Sequence, residues 1–263
     1  MPAEAPRLPL SISVVTKNEE KNLRRCLASA ADLASELVVV DSGSTDGTEA
    51  VAREFDAAWH TQDWLGFREQ KKVALGHCTQ DWVLMLDADE EVSDELKPEL
   101  IAFFENNETE QFDGAEFPRR TQFLGRWITH GDWYPDRKLR LFRRDRGVVG
   151  GAPEHDVIEV PGEVKRMKGD LNHYSFPTMM SFVNKIGTFS DAFVQREVDR
   201  GRKWSGFRAI SRPIWRFIRG YILRLGFLDG FPGLWIAVSV SYLTFVRYSR
   251  TYEHERNLEK PCD

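Results

Sequence analysis

Continuous apolar runs alternate with amphipathic stretches over residues 10–111. The apolar runs are rich in branched side chains and predict strands buried on both faces at residues 10–15, 36–40, 57–61 and 82–86. The stretches between them repeat apolar residues at helical spacing and predict helices at residues 20–34, 49–55 and 67–78. This alternation is typical of an α/β fold and predicts a mostly parallel sheet with helices on both faces.

Polar residues follow three of the four predicted strands, at the point where each strand ends. TKNE follows the first strand at 16–19, DSGS follows the second at 41–44, and Asp87-Ala88-Asp89 follows the fourth. Ligands of parallel sheets bind beyond the carboxyl ends of the strands. The sequence therefore predicts a ligand site at this edge of the sheet.

The pattern changes near residue 112. Two further strands are predicted at residues 115–120 and 138–142, joined by an aromatic connection that contains glycine, and a helix is predicted at residues 178–200. The expected organisation is an N-terminal tail at 1–9, an α/β domain at 10–177 with halves 10–111 and 112–177, and a helical C-terminal region at 178–263.

Charge divides the chain into an acidic first part and a basic second part. Residues 1–115 contain 10 Lys and Arg against 24 Asp and Glu, whereas residues 116–263 contain 26 against 17. The formal net charge of −5 hides this asymmetry. An acidic part suits a bound cation, and a basic part suits phosphates or an anionic membrane surface.

Length and cysteine content narrow the class of protein. A chain of 263 residues, 41% of them hydrophobic, is long enough for one large or two small domains with a packed core. Three scattered cysteines, Cys26, Cys78 and Cys262, indicate a reducing compartment without a disulfide framework. The opening stretch MPAEAPRLPL lacks the apolar segment of a secretory signal.

Asp87 and Asp89 can present two carboxylates to one divalent cation from the end of a strand. Mg²⁺ and Mn²⁺ prefer such oxygen ligands and keep positions open for substrate phosphates. The alternative is a solvated acidic loop before a helix, capped by Ser93 or Asp94. In the metal-site interpretation Glu90 and Glu91 are not ligands but start the next loop or helix. The polar ends of the neighbouring strands favour the metal site.

The segment DSGSTDGT, residues 41–48, combines two glycines with hydroxyl and carboxyl groups. Asp41 can accept hydrogen bonds from a nucleotide base or ribose, and Ser44, Thr45 and Thr48 offer hydroxyls. The alternative is an Asx-turn followed by a helix N-cap, without a ligand.

Taken in order, LSISVVTKNEE, LVVVDSGSTDGT and DWVLMLDADEEV resemble the family-2 nucleotide-sugar glycosyltransferases with the GT-A fold, over residues 10–105. Further along, GDWYPDRKLRLFRR, EHDV and LNHYSF resemble the bacterial lipopolysaccharide-core branch, which includes β-1,4-glucosyltransferases acting on inner-core heptose. The resemblance implies a GT-A nucleotide-binding sandwich, with residues 10–111 as its nucleotide-sugar half and residues 112–177 as its acceptor half.

The resemblance also implies roles for single residues. The nucleoside would be held by Thr16, Asn18, Glu19, Asp41 and Ser44. The nucleotide would contact Gln70, Lys71 and Lys72, whose alternative is a solvated helix face. Asp87, with Ala88 beside it, would contact the ribose or a metal-bound water, and Asp89 would bind Mn²⁺ or Mg²⁺ directly. His173 would be a third metal ligand, or else a structural histidine.

An inverting transfer requires a carboxylate that takes the proton of the acceptor hydroxyl. The candidates are Asp132, Asp136, Glu154 and Asp156, and the last two belong to a predicted loop rich in glycine and proline, GGAPEHD at 150–156. Because the resembling family often has His-Glu where this chain has His155-Asp156, Asp156 is the first choice and Glu154 the second. On the acceptor side, Trp133, Tyr134 and Asp136 are predicted to bind the glycan, although the aromatic rings could equally pack the connection.

The C-terminal region has the composition of a membrane-surface segment. Nine Lys and Arg lie between Arg196 and Arg224, interleaved with aromatic and aliphatic residues. The uncharged run at 230–246 predicts an interfacial or re-entrant helix, or a helix buried at a subunit contact of a homo-oligomer. No nucleic-acid recognition fold accompanies the basic residues.

These features lead to the hypothesis of an inverting glycosyltransferase at the cytoplasmic face of a bacterial inner membrane. It would transfer a hexose, with glucose from UDP-glucose as the first choice, to a lipid-linked glycan such as the lipopolysaccharide inner core. Two alternatives remain: a haloacid-dehalogenase-type phosphatase, which also uses an Asp-x-Asp, and a non-catalytic, membrane-docked protein that binds sugar nucleotides.

Overall fold

The computed structural model describes residues 7–152 and 155–258. The chain separates into two compact units. The first contains Met1–Arg119 and Asp136–Tyr174, and the second contains Arg120–Pro135 and Ser175–Asp263. The first unit is built around a sheet, and most of the second is helical.

The first unit begins with the predicted alternation of strands and helices. Its strands β1 to β4 are Leu8–Thr16, Ala34–Asp41, Ala58–Thr61 and Trp82–Asp87. They lie side by side in the order β3-β2-β1-β4, and all their pairings are parallel. The connecting helices α1 to α3 are Glu20–Ala30, Thr48–Glu54 and Phe67–His77.

The carboxyl ends of the central strands are level with one another. Thr16 at the end of β1 is paired with Asp41 of β2, and Val15 is paired with Asp87 of β4. The polar segments that follow these strands therefore meet at one edge, as the sequence predicts.

Apolar side chains cover both faces of this parallel part. One face carries Ile12, Val14, Leu84 and Leu86 against the Leu23 and Leu27 side of α1. The other carries Val38, Val40, Val83 and Met85 against Ala74 of α3. Burial of each such side chain contributes about 1.5–3 kcal/mol, which explains why the strand segments are almost uninterrupted apolar runs.

Beyond β4 the sheet becomes mixed. The strands β5, β6, β8 and β12 are Glu90–Val92, Gly114–Phe123, Asp136–Arg143 and Leu171–Phe176, in the order β4-β8-β6-β12-β5. The pairings β4 with β8, β8 with β6, and β12 with β5 are antiparallel. Strand β11, Val164–Arg166, pairs in parallel with β6, and helix α4 is Leu96–Glu105.

Two local predictions are wrong. Glu90 and Glu91 start neither a loop nor a helix but belong to β5, because Val92 and Glu90 pair with Leu171 and His173 of β12. The Gly- and Pro-rich segment near residue 150 is a hairpin of β9, Val148–Ala152, and β10, His155–Glu159.

The second unit contains the remaining short strand and the C-terminal helices. Strand β7, Arg126–Trp127, pairs with the end of β6, and a 3-10 turn follows at Gly131–Trp133. The helix predicted at 178–200 is two helices, α5 at Met179–Asn184 and α6 at Ile186–Asp199. After these come α7 at Gly206–Phe217, a π-helical segment at Ile218–Leu223, a 3-10 turn at Gly226–Asp229, and α8 at Gly230–Leu258.

Helix α8 buries one side and exposes another. Its buried Ile236, Val240 and Leu243 pack in a core with Phe123, Ile128, Phe182 and Ile186. Its exposed large apolar or aromatic side chains are Phe231, Val238, Tyr242, Phe245 and Tyr252. Among the described residues one helical segment, Gly226–Asn257, is long and apolar enough to cross a membrane, and 33% of its most apolar window is buried.

Candidate active site

The loops that follow β1 and β2 are joined by hydrogen bonds. The Asn18 N–H donates to Ser44 Oγ at 2.7 Å, and Asn18 Oδ1 accepts from the Thr45 N–H at 2.8 Å. The Glu19 N–H donates to Thr48 Oγ1 at 3.0 Å. Asn18 has a left-handed backbone, a conformation that asparagine tolerates better than most residues. Three of the predicted nucleoside-binding residues are therefore brought together.

Asp41 organises its own loop. Its Oδ2 accepts from the N–H groups of Gly43 at 2.8 Å and Ser44 at 2.7 Å, and the Ser44 hydroxyl donates to Oδ1. Gly43 has a φ of +85°, which this tight turn requires and glycine allows. The Asx-turn alternative is thus observed, and direct nucleoside binding by Asp41 stays a prediction.

Helix α3 presents two buried polar residues to the sheet. Gln70 donates from Nε2 to Ser42 Oγ at 2.9 Å and to the Gln62 carbonyl at 3.1 Å. Lys71 is 1% exposed, whereas Lys72 is 46% exposed and pairs with Glu69 at 3.0 Å. The solvated-face interpretation is therefore wrong for Gln70 and Lys71 and correct for Lys72. Their contact with the nucleotide stays a prediction.

Asp87 lies in a buried network of opposite charges. Lys71 Nζ is 2.6 Å from Asp87 Oδ1, and Arg140 forms an ion pair with Oδ2. Arg140 also contacts Glu90 Oε1 at 2.8 Å, and Arg119 contacts the same oxygen at 2.9 Å. The carboxylates at the end of β4 are therefore balanced by cations of the protein itself.

These cations hold their partners ionised. Burial on its own would raise the pKa of Asp87, but Arg140 and Lys71 outweigh it and hold the pKa far below its usual range. Burial likewise raises the pKa of Asp136, and Arg119 and Lys138 lower it by more. Asp136 is therefore ionised and paired with Arg119, and its place among the candidate bases stays a prediction. Its role in acceptor binding stays a prediction.

Sequence reasoning missed Arg119, Arg140 and Glu90. The available signal was Arg140 within the apolar strand sequence LRLF, since a charged residue at a buried strand position needs an opposite charge nearby. Its partners lie 50 or more residues away in the sequence, so spacing alone does not identify them.

Asp89 is paired with His173. Asp89 Oδ2 lies 3.4 Å from His173 Nε2, and the Tyr174 N–H donates to the Asp89 carbonyl at 3.0 Å. Burial raises the pKa of Asp89, but the hydrogen bond and charge of His173 lower it by more. A carboxylate oxygen and an imidazole nitrogen are thereby presented together. Within residues 7–152 and 155–258, no group of three or more His, Cys, Asp and Glu is arranged to hold a metal ion.

Thr16, at the end of β1, and Ala88, which follows β4, are both buried. Thr16 is paired with Asp41 across the β1–β2 ladder, and Ala88 separates Asp87 from Asp89. Both positions are compatible with a supporting place in the nucleotide site, which stays a prediction.

The proposed base lies on the β9–β10 hairpin. The backbone of Asp156 in β10 is paired with Gly151 in β9, and Arg68 of α3 donates to the Gly151 carbonyl at 3.1 Å. The hairpin is therefore attached to the helix that carries Lys71. Glu154 lies outside the described residues, and the choice between Asp156 and Glu154 stays a prediction.

The aromatic acceptor candidates belong to the second unit. The Trp133 ring lies 5.1 Å from Phe176, 5.3 Å from Phe123 and 5.6 Å from Phe182, measured between centroids. The packing interpretation therefore describes the Trp133 contacts. Sugar binding by Trp133 and Tyr134 stays a prediction.

Lys71→Met is expected to lower the free energy of unfolding by about 3 kcal/mol, because it leaves a buried carboxylate with fewer cations. The matched control is Lys72→Met, one position along α3 and exposed, for which we expect a change of less than about 1 kcal/mol. Urea unfolding followed by tryptophan fluorescence measures both. Equal effects of the two substitutions would contradict a buried role for the Lys71–Asp87 pair.

Comparison with known proteins identifies the family of this chain. Residues 11–157 match the family model described as Glycosyl transferase family 2. The lipopolysaccharide core biosynthesis glycosyltransferase LpsC of Rhizobium meliloti is 30% identical, over 97% of this chain and 96% of its own length. An uncharacterized glycosyltransferase of Rickettsia typhi is 28% identical, over 93% of this chain and 87% of its own length.

The fold also has a solved counterpart. A mannosyltransferase of Pyrobaculum calidifontis, solved in complex with GDP-Man and Mn²⁺, superposes with a TM-score of 0.51. It covers 99% of this chain and 90% of its own, at 16% sequence identity, so the likeness is one of fold. The family match over more than half of the chain, with the near full-length similarity to LpsC, shows that this protein belongs to glycosyl transferase family 2.

Proposed function

We propose that this glycosyltransferase is an inverting, divalent-metal-dependent hexosyltransferase. It transfers glucose from UDP-glucose to a lipid-linked glycan such as the lipopolysaccharide inner core. The observation that carries the proposal is the Asp89–His173 pair. Asp89 follows β4 at the edge where the loops after β1 and β2 also begin, and His173 lies in β12.

Asp89 and His173 fit a manganese or magnesium ion better than Asp87 does. Mn²⁺ accepts both carboxylate oxygen and imidazole nitrogen, and these two groups lie 3.4 Å apart. Asp87 is already engaged by Lys71 and Arg140. Two protein ligands leave positions for nucleotide phosphates and water, as is usual for Mg²⁺ sites. When bound, the ion would act as a Lewis acid that neutralises charge on the leaving UDP.

The protein groups around this pair would hold the donor. Lys71 and Arg140 keep Asp87 ionised and fixed, so that it can contact the ribose. The linked loops of Asn18 and Ser44 form a polar rim for the nucleoside, and Gln70 fastens the second loop through Ser42. The donor site would therefore be shaped before the nucleotide arrives, which lowers the ordering cost of binding.

Asp156 is our proposed base, and Glu154 is the alternative. An inverting reaction needs a carboxylate on the acceptor side that is free to take a proton. Asp136 is ion-paired with Arg119, and Asp132 is engaged by Arg216, Arg219 and Arg224, so neither is suited to this task. Trp133, Tyr134 and Asp136 are proposed to bind the acceptor glycan.

A membrane-borne acceptor is supported by similarity and by the C-terminal helices. The relative LpsC is named for lipopolysaccharide core biosynthesis. Helices α7 and α8 expose several large apolar side chains in a region that is also rich in arginine. These features support membrane attachment, and we propose that the enzyme is attached peripherally or monotopically at the cytoplasmic face of a bacterial inner membrane.

The phosphatase alternative is wrong, since the chain is a family 2 glycosyltransferase. The non-catalytic alternative makes a different prediction from ours. It requires nucleotide binding with neither transfer nor hydrolysis of any nucleotide sugar. A turnover assay of nucleotide sugars distinguishes the two proposals.

Calorimetric titration with UDP, GDP and CMP, with and without Mn²⁺, is expected to show Mn²⁺-dependent binding of UDP alone. UDP-glucose should then be turned over with Mn²⁺ or Mg²⁺, and excess EDTA should abolish turnover because the leaving diphosphate loses its counter-charge. Binding of GDP in preference to UDP would overturn the donor. Metal-independent turnover would overturn the metal site, and binding without turnover would support the non-catalytic alternative.

A further inference from the structure

Three arginines of the second unit converge on one buried carboxylate. Asp132, in the 3-10 turn Gly131–Trp133, has a side chain that is 1% exposed. Its oxygens lie 2.8 Å from Arg216 Nε, 2.7 Å from Arg219 Nη2 and 3.5 Å from Arg224 Nη1. A single aspartate needs one counter-charge, so the described contacts leave this arginine cluster with an excess of two positive charges.

The π-helical segment brings Arg224 to the side of Arg219. The Arg224 N–H donates to the Arg219 carbonyl five residues earlier, at 2.8 Å. In an α-helix, residues five apart point about 140° away from each other, whereas the i to i+5 closure stacks them. Gly220 lies between them, and an added Cβ would come within 2.9 Å of Asp132 Oδ2. The unusual helix therefore has a local consequence, which is the convergence of cations over Asp132.

The arginine cluster is open to solvent on its outer side. The side chains of Arg216, Arg219 and Arg224 are 37%, 30% and 47% exposed. Burial lowers the pKa of Arg216, and the charges of Arg219 and Arg224 act in the same direction, although guanidinium groups stay protonated in proteins. Like charges held this close favour an added anion.

Exposed apolar side chains flank Arg224 in the sequence, and others lie on α7 and α8. Ile222 and Leu223 precede Arg224, and Leu225 follows it, all of them exposed. On α7, Phe207 is 81% exposed and Ile210 is 64% exposed. A groove of about 380 Å³ between α7 and α8 is lined by Ile210, Ile214, Phe217, Val238, Tyr242 and Phe245. Soluble monomers seldom expose so many large apolar residues together.

We propose that Arg216, Arg219 and Arg224 bind the phosphate of an anionic membrane lipid, while the flanking apolar side chains enter the acyl region of the same bilayer. Guanidinium groups suit phosphate oxygens because they donate two parallel hydrogen bonds. An anionic bilayer interface complements a surface on which apolar side chains lie beside cations, because its headgroups are negatively charged and its acyl chains are apolar. This inference deepens the proposed membrane attachment and rests on it, and it identifies the lipid-binding residues.

The test is flotation of purified protein with two kinds of vesicle. One contains phosphatidylcholine alone, and the other contains in addition roughly 30% phosphatidylglycerol as the anionic lipid. The variant is Arg219→Gln/Arg224→Gln, which keeps the Arg216–Asp132 ion pair and so does not leave the aspartate unpaired. The matched control is Arg24→Gln/Arg53→Gln, with the same charge change at two exposed arginines of the first unit. We expect wild type and control to bind the anionic vesicles. The partition coefficient of the variant should be lower by a factor of about ten or more.

The outcomes separate this site from the attachment itself. If wild type floats with neither vesicle, the membrane attachment and the lipid site both fail. If variant and wild type bind anionic vesicles equally, attachment stands and the arginine site is overturned. Equal binding of wild type to both vesicles overturns anion recognition. Arg224→Gln alone, which removes only the most distant arginine, should weaken partitioning to an intermediate degree if the double variant fails to fold.

Discussion

Asp89→Ala is expected to lower the rate of sugar transfer by about a thousandfold or more while leaving the fold intact. A divalent ion neutralises several kcal/mol of developing charge on the leaving diphosphate, and each 1.36 kcal/mol corresponds to a factor of ten in rate. Asp89 is proposed to be the carboxylate ligand of this ion, because Asp87 is committed to Lys71 and Arg140. Steady-state kinetics with UDP-glucose as a function of Mn²⁺ measure the loss.

The matched control is Asp94→Ala, which removes an exposed carboxylate shortly after β5. It makes the same chemical change a few residues further along the chain, and its rate should stay within about twofold of wild type, as for most surface substitutions. His173→Gln should raise the Mn²⁺ concentration needed for half-maximal activity, because it removes the nitrogen proposed to complete the pair. Normal activity of Asp89→Ala at low Mn²⁺ would remove this residue from the metal site.

The parallel half of the fold was predictable because each of its elements has a local signal. The runs ending at Thr16, Asp41 and Asp87 are apolar, and parallel strands necessarily bring their carboxyl ends to one edge. For the same reason, the proximity of Asn18 to Ser44 follows from the order of strands β1 and β2. These residues could be placed near one another without knowledge of any long-range contact.

The environment of Asp87 could not be predicted in this way. Two of its cations come from α3 and from β8, 16 and 53 residues away in the sequence. The strand β5 has three residues, which are too few to show the alternation of apolar and polar positions typical of a strand. It forms because it pairs with β12. The arginine cluster likewise depends on a π-helical turn, for which no propensity rule is available. Local patterns therefore predicted the scaffold and the edge, but not the counter-charges that make the acidic cluster stable.

This counter-charge network changes the expected division of labour between the two aspartates. An acidic Asp-x-Asp without cations would need a metal ion to relieve repulsion between both carboxylates. Here Asp87 is neutralised by the protein, so the proposed ion would serve Asp89 and the diphosphate. Removing Asp87 and removing Asp89 should consequently differ: the first disturbs folding and donor orientation, and the second disturbs catalysis.

Asp156→Asn is expected to reduce transfer to the acceptor by about 10²–10⁴-fold, the usual contribution of a positioned general base. Binding of UDP with Mn²⁺ should be unchanged, because the residue is proposed to act on the acceptor hydroxyl and not on the nucleotide. Asp156→Glu keeps a carboxylate with a longer reach and is expected to retain a measurable part of the activity. Transfer rates and UDP titration of the same preparations separate loss of the base from loss of the donor site.

Glu154→Gln is the matched comparison, since it removes a neighbouring carboxylate of the same segment. If Asp156 is the base, Glu154→Gln should change the rate by less than about tenfold, well below the contribution of a general base. The reverse pattern would make Glu154 the base. The backbone of Asp156 is paired with Gly151, which Arg68 attaches to α3, so a base at this position would share its support with the donor-side Lys71. Retained transfer in both variants would exclude this hairpin as the source of the base and leave the proton to another carboxylate.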